Sequence, residues 1–276
     1  MQSKQAQPEF SVDLRVVVGQ YNARKAMIIS AAGGHNLLMV GPPGMGKTML
    51  ASRICLILPP LDESSALETA ALHSRASFNF DASNWRLPPF RAPHHTSSAV
   101  ALVGGGSSLK VGKISLAHNG VLFLDELPEF SPRVFEVLRE PLESGTISIS
   151  RANYQVKLPA RFQLIAAMNP CPCGFLNSNE KQCRCNPGKI KKYQSRISGP
   201  LLDRMGLHVQ VSQLRKEEQE QLLASDSHIS ESSDSARSGI TEARNRQLMR
   251  STKPNIIHSQ SEIRKLVGWK GRMKTI

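Results

Sequence analysis

Residues 36–48 read Asn36-Leu37-Leu38-Met39-Val40-Gly41-Pro42-Pro43-Gly44-Met45-Gly46-Lys47-Thr48. The apolar run has no polar alternation and ends at glycines and prolines, which suits a strand buried on both faces of a parallel sheet. The eight residues from Gly41 to Thr48 fit G-x-x-x-x-G-K-[ST]. Glycines at Gly41, Gly44 and Gly46 let a loop wrap closely, so that its backbone N–H groups point at phosphate oxygens, and a helix N-terminus beyond adds its positive end. In that pattern Lys47 reaches the β- and γ-phosphates and the Thr48 hydroxyl ligates Mg²⁺. ATP and magnesium are therefore the expected ligands, held by Gly41, Pro42, Pro43, Gly44, Met45, Gly46, Lys47 and Thr48. A helix from Lys47 carries Met49 to Leu58 and stops at Pro59-Pro60.

Working outward, residues 20–32 place Ala23, Ala26, Met27 and Ala31 at helical spacing, and Gly33-Gly34 stops that helix. Residues 61–115 read as turn-rich. Val121-Leu122-Phe123-Leu124 is a second buried strand, and it delivers Asp125 and Glu126 at its C-terminal end, where open α/β sheets bind ligands. Asp125 is placed to hold the magnesium and Glu126 to orient and polarise the attacking water. A helix from Pro132 to Leu142 follows, then a hairpin of 146–150 with 154–158, then a third buried strand over 162–168 ending at Asn169-Pro170. Strands alternating with helices imply an α/β fold, a three-layer sandwich with a parallel sheet. Beyond residue 214 the pattern becomes helical, over 215–224 and 240–251, around a Ser-rich segment, 225–239, that reads as a flexible loop. The organisation expected is a lead-in over 1–18, a nucleotide-binding core over 19–213 and a small, partial helical lid over 214–276.

The formal net charge is +13 in 276 residues, which favours polyanions over small neutral substrates. Six basic residues and no acidic one lie between Lys181 and Arg196. A solvated basic face and a nucleic-acid contact both account for that run. No apolar stretch reaches the ~20 residues that cross a bilayer. The N-terminus lacks the apolar core of a secretory signal, so a cytoplasmic protein with no membrane partner is expected.

Four of the five cysteines, Cys171, Cys173, Cys183 and Cys185, form two C-x-C pairs nine residues apart. Four thiolates satisfy tetrahedral Zn²⁺, with a turn at Gly174 folding the pairs together, although C-x-C is tighter than the usual C-x₂-C spacing. Zinc, four reduced structural thiols, and a redox or disulfide role stay open at this point. The pair His94-His95 has no acidic or cysteine neighbour in sequence and reads as a polar loop.

Longer strings are more specific than the phosphate loop. They are AAGGHNLLMVGPPGMGKTMLA (31–51), PFRAPHHTSSAVALVGGG (89–106), GKISLAHNGVLFLDELPEFSPRVFEVLREPLESG (112–145), FQLIAAMNPCPCG (162–174) and SGPLLDR (198–204). On these strings the chain resembles the magnesium-chelatase-like AAA+ ATPases, and within them the ComM/YifB branch. The resemblance covers roughly residues 19–212. It implies an AAA+ P-loop core, a sensor role beside the γ-phosphate for Asn169, and an arginine-finger role toward a neighbouring subunit for Arg204. It implies a homo-hexameric ring and ATP-driven branch migration of DNA during natural transformation. In such rings pore loops touch the DNA backbone, and the candidates here are Lys110 and Lys113 on one loop and Arg151 and Lys157 on the hairpin.

Two departures carry weight. That branch has an extra N-terminal domain resembling the Lon protease fold, which nothing before Val18 supplies. Its lid normally continues to a sensor arginine without a counterpart here. The resemblance thus leaves an ATP-driven DNA motor as the first reading. The alternatives are the ATPase subunit of a magnesium chelatase and a nucleotide-binding module without turnover.

Overall fold

A computed structural model describes residues 13–17, 19–76, 82–105, 110–151, 154–178, 181–212 and 231–251. In chain order the elements are α1 (Tyr21–Gly33), β1 (Leu37–Val40), α2 (Lys47–Ile57), α3 (Glu63–Ala76), β2 (Phe90–Arg91), α4 (Ala99–Val103), β3 (Gly104–Gly105), β4 (Lys110–Val111) and α5 (Lys113–Leu116). They continue with β5 (Val121–Leu124), α6 (Pro132–Ser144), β6 (Thr146–Arg151), β7 (Tyr154–Pro159), β8 (Gln163–Met168), α7 (Pro187–Gln194), α8 (Gly199–Leu202), β9 (Leu207–Gln210) and α9 (Ser233–Ser251).

Five strands form one parallel sheet in the order β2-β5-β8-β1-β9. The three central strands are the three apolar runs of the sequence, and their registers align Leu37 with Ile165 and Val121 with Gln163. Successive side chains feed two separate cores, which is why the runs lack alternation. Leu37, Met39, Val121, Phe123, Ile165 and Ala167 face α1, α2 and the start of α9. Leu38, Leu122, Leu124, Leu164, Ala166 and Met168 face the other side, with α6 and the β6–β7 hairpin. This is the expected α/β three-layer architecture with a helical C-terminal part.

Three expectations are corrected by the structure. The turn-rich stretch contains α3, a 14-residue helix whose start is capped by Asp62: its carboxylate accepts from the Ser65 backbone N–H at 2.8 Å and from the Ser64 and Ser65 hydroxyls. The Ser-rich segment is helical from Ser233, because Ala236 and Ile240 bury against α1 and α2 while Arg237 donates to the Leu56 carbonyl and Arg244 to that of Ala31. The edge strand β9 has no counterpart in the sequence reading, since only one of its four residues is buried. The helix expected over 215–224 lies outside the described residues. Among the described residues no helix is long and apolar enough to cross a membrane.

Candidate nucleotide site

The phosphate loop leaves the C-terminal end of β1 and enters α2 at Lys47. Its glycines are glycines for different reasons. Gly44 and Gly46 have φ of +79° and +75°, left-handed values that strain any residue with a Cβ. Gly41 makes room for a neighbour instead: a Cβ there would stand 2.1 Å from the Val211 carbonyl oxygen, where the chain leaves β9. Its place in the pattern thus serves close packing of the sheet edge.

Lys47 is buried, and its ammonium donates to the Gly41 carbonyl at 2.7 Å, the Pro42 carbonyl at 2.7 Å and Asn169 Oδ1 at 3.1 Å. Its three N–H bonds therefore go to neutral oxygens. Burial pulls the Lys47 pKa below its ordinary value, opposed by the charges of Asp125 and Glu126. An anion entering the cleft replaces a neutral acceptor with a charged one, and that gain is what the arrangement offers a phosphate.

Asp125 spends both oxygens locally. The Thr48 hydroxyl donates to Oδ2, and the Glu126 backbone N–H donates to Oδ1 at 2.9 Å. Thr48 and Asp125 thus bring two hard oxygen donors together at the mouth of the loop, a donor set that fits Mg²⁺. Glu126 adopts a left-handed backbone, φ +52° and ψ +47°, at the turn out of β5. For a residue with a side chain that conformation costs about 1–3 kcal/mol and persists where surroundings impose it.

The side chain of Glu126 meets His95: Nδ1 lies 2.8 Å from Oε2. The expectation of a polar loop without an acidic partner is therefore corrected at His95. The two meet because β2 pairs in parallel with β5, Phe90 beside Val121, so the segments leaving the two strands emerge together. A two-residue edge strand carries no periodicity, so nothing in the sequence announces that pairing. His94, its ring centroid 4.1 Å from that of His95, binds the Thr96 hydroxyl instead.

Lys47, Thr48, Asp125, Glu126 and Asn169 line one cleft of about 410 Å³, together with Pro43, Gly44, Met45, Gly46, Met49 and Met168. Asn169 sits at the tip of β8. It lies beside the phenol of Tyr193 on α7, whose pKa burial pushes up to about 12 while the Asn169 backbone pulls it back.

Arg204 lies elsewhere. Its carbonyl accepts from the Asn36 side chain at 2.9 Å, which puts it at the end of β1 opposite the phosphate loop. Its guanidinium pairs with Glu143 at 2.6 Å, both side chains about half exposed. Pairs this exposed are worth at most ~1 kcal/mol. Lys110 in β4, Lys113 at the start of α5 and Lys157 in β7 are exposed, and Arg151 ends β6 opposite Tyr154. Lys189, Lys191 and Lys192 stand exposed on α7, while Arg196 pairs with Glu129 at 2.9 Å. Cys171, Cys173, Cys183 and Cys185 come together just beyond Asn169.

A family model described as magnesium chelatase, subunit ChlI, matches residues 13–219. The chain belongs to this family. It is 52% identical over 206 residues to the uncharacterized protein YifB of Salmonella typhimurium, an alignment covering 75% of this chain and 40% of the relative. It is 47% identical over 253 residues to the competence protein ComM of Haemophilus influenzae, covering 92% of this chain and 48% of the relative. It is also 47% identical over 252 residues to YifB of Escherichia coli, covering 91% and 49%. The chain spans about half the length, or less, of the curated relatives it matches.

Proposed function

We propose that this chain binds Mg·ATP, hydrolyses it, and works as the motor core of a ring acting on DNA. The observation that carries the reading is the convergence of Lys47, the Thr48–Asp125 pair, Glu126 and Asn169 on one cleft at the C-terminal ends of β1, β5 and β8. Magnesium bound through Thr48 and Asp125 supplies charge neutralisation on the phosphate oxygens. Lys47 binds and orients the triphosphate. Glu126 accepts the proton of the attacking water as the γ-phosphoryl leaves ADP, and Asn169 holds that water or the γ-phosphate in line.

His95 acts on Glu126 as a positioning residue. His95→Ala is expected to leave ATP affinity unchanged and lower kcat by about two- to tenfold, the worth of one hydrogen bond. His95→Asn is expected to recover part of the loss, and steady-state kinetics at saturating ATP read both.

To Arg204, at the far end of the sheet from its own phosphate loop, the reading gives the role of an arginine finger toward a neighbouring copy. The net charge of +13 and the exposed lysines of β4, α5, β7 and α7 suit a polyanion.

The test is phosphate release with and without four-way or forked DNA, together with DNA binding across a salt series. Stimulation by branched DNA, and binding that weakens linearly in log salt, are expected. Replacing Lys110, Lys113 and Lys157 one at a time by Ala is expected to reduce that slope by about 0.9 for each DNA phosphate that is no longer neutralised. Tight ATP binding with no phosphate release at any protein concentration would establish instead a nucleotide-binding module without turnover. Salt-independent behaviour with no DNA binding would remove nucleic acid as the partner.

A further inference from the structure

The two C-x-C pairs are far more closely assembled than their spacing required. Cys171 and Cys173 occupy the turn that follows β8, Asn169 and Pro170; Cys183 and Cys185 lie immediately before Asn186, which caps α7 by accepting from the Lys189 backbone at 2.8 Å. The Sγ atoms of Cys171 and Cys173 are 3.4 Å apart, those of Cys171 and Cys183 3.7 Å, and those of Cys173 and Cys183 3.6 Å. All four ligand atoms lie within 4.8 Å of one another. A tetrahedron of sulfurs around one ion at the Zn–S bond length of ~2.3 Å has edges of ~3.8 Å. The cage is thus the size that one tetrahedral ion requires. All four cysteines are free thiols rather than disulfides.

Backbone N–H groups stand beside three of the four sulfurs. The backbone N–H groups of Phe175 and Arg184 lie beside the Cys173 sulfur, that of Cys185 beside the Cys183 sulfur, and that of Cys173 beside the Cys185 sulfur. Backbone donors of this kind orient metal-bound sulfurs and spread their charge. The turn is built for the purpose: Gly174 adopts φ +84°, and its N–H donates to the Cys171 carbonyl at 2.9 Å. Lys181 and Arg184 lie on the same link, with Lys181 Nζ 5.2 Å from the centroid of the Phe175 ring. Four sulfurs select a soft or borderline ion over magnesium or calcium, and a complete four-ligand shell leaves no position for water.

We propose that Cys171, Cys173, Cys183 and Cys185 bind one structural zinc ion that fastens the tip of β8 and the start of α7 to the phosphate loop. The fastening is visible on both sides. A Cβ on Gly174 would stand 2.5 Å from Pro43 Cδ, so the metal-binding turn rests directly on the loop. On the other side Gln194 donates to the Pro170 carbonyl at 3.0 Å, and the Tyr193 phenol lies beside the Asn169 backbone. Asn169, which accepts from Lys47, is thereby fixed from a cross-link two residues away. Metal binding itself goes beyond the ATPase reading and does not depend on it.

The experiment begins with the intact chain purified without chelator. Elemental analysis is expected to give about one zinc per chain, the content of a single closed Cys₄ site. A mercurial that attacks thiolates is expected to release that zinc into a metal-sensitive dye. Exchange with Co²⁺ is expected to give the intense visible absorption of a tetrahedral thiolate site. Zinc below about a tenth of an equivalent, against the one that a closed site holds, with all four thiols freely reactive in the folded chain, would overturn the proposal. So would a weak octahedral cobalt spectrum, or iron with sulfide in place of zinc. Cys183→Ser and Cys185→Ser are each expected to lose at least about tenfold in zinc affinity, in line with three remaining thiolate ligands. If either fails to fold, the mercurial release and cobalt spectrum of the unaltered chain decide. Metal content does not require ATP hydrolysis, so an inactive chain that holds zinc would count against the motor reading alone.

Discussion

Replacing Glu126 with Gln is expected to leave Mg·ATP bound at least as tightly as before while phosphate release falls about 10²- to 10⁴-fold, the usual contribution of a positioned general base. The amide matches the carboxylate in volume and keeps the backbone N–H that donates to Asp125 Oδ1. It also leaves the Lys47 and Thr48 hydrogen bonds untouched, since neither involves Glu126. What it removes is a negative charge at the cleft and a proton acceptor that the phosphate loop does not already engage. Loss of that charge eases repulsion of a triphosphate, so affinity should hold or improve. His95 can still hydrogen-bond the amide oxygen, which keeps the side chain aimed as in the parent. Single-turnover hydrolysis beside equilibrium ATP binding reads the two effects separately. Hydrolysis at the parental rate would take Glu126 out of its assigned role and leave Asp125 or a neighbouring copy to supply the base.

Lys47 and His95 stand at opposite ends of what the residues alone reveal about the cleft. The phosphate loop, the two acids and Asn169 are legible because each closes an uninterrupted apolar strand, and β1, β5 and β8 are adjacent in the sheet. In a parallel sheet the C-terminal ends of adjacent strands share one edge, so order along the chain is enough to assemble them. His95 is illegible because its position depends on β2, two half-buried residues at the sheet edge whose pairing is decided by β5 and by the Phe90–Phe123 ring contact. The helix α3 escapes detection for a similar reason. Its buried residues, Ala66, Thr69 and Leu72, are small or few, and its start is set by the carboxylate of Asp62. The beginning of α9 is hidden because serines suggest a loop, whereas burial of Ala236 and Ile240 on α1 and α2 outweighs weak propensity. Gly41 is a subtler case. Proximity of a phosphate and proximity of Val211 both demand glycine, and only the folded chain separates them.

Lys47→Met should cut by about half or more the thermal stabilisation that Mg·ATP, at about 100 times the parent's Kd, gives the parent chain. Methionine keeps the apolar stem packed where Lys47 enters α2 but lacks the ammonium. The charge-assisted bonds it forgoes, at roughly 1.5–3 kcal/mol each, weaken ATP by about 10- to 100-fold for every hydrogen bond to phosphate that disappears. A ligand at about 100 times its Kd stabilises the native state by ~2.7 kcal/mol; a tenfold weakening leaves ~1.4 kcal/mol of that and a hundredfold weakening ~0.4 kcal/mol. The unliganded variant should itself stay folded, because two effects oppose. The Gly41 and Pro42 carbonyls lose their donor, while the desolvation that depresses the Lys47 pKa disappears. That second effect has a definite pH signature. A lysine whose native pKa lies below its unfolded value binds fewer protons in the native state, so its unfavourable contribution is full at pH below the depressed pKa and is relieved as pH rises through it. The parent should therefore gain stability relative to Lys47→Met as the pH climbs from the depressed native value toward the ordinary lysine pKa, when both are melted without nucleotide. An ATP-induced shift in Lys47→Met equal to the parent's would mean that the triphosphate binds without this ammonium, and that the cleft between α2 and β5 is not its seat.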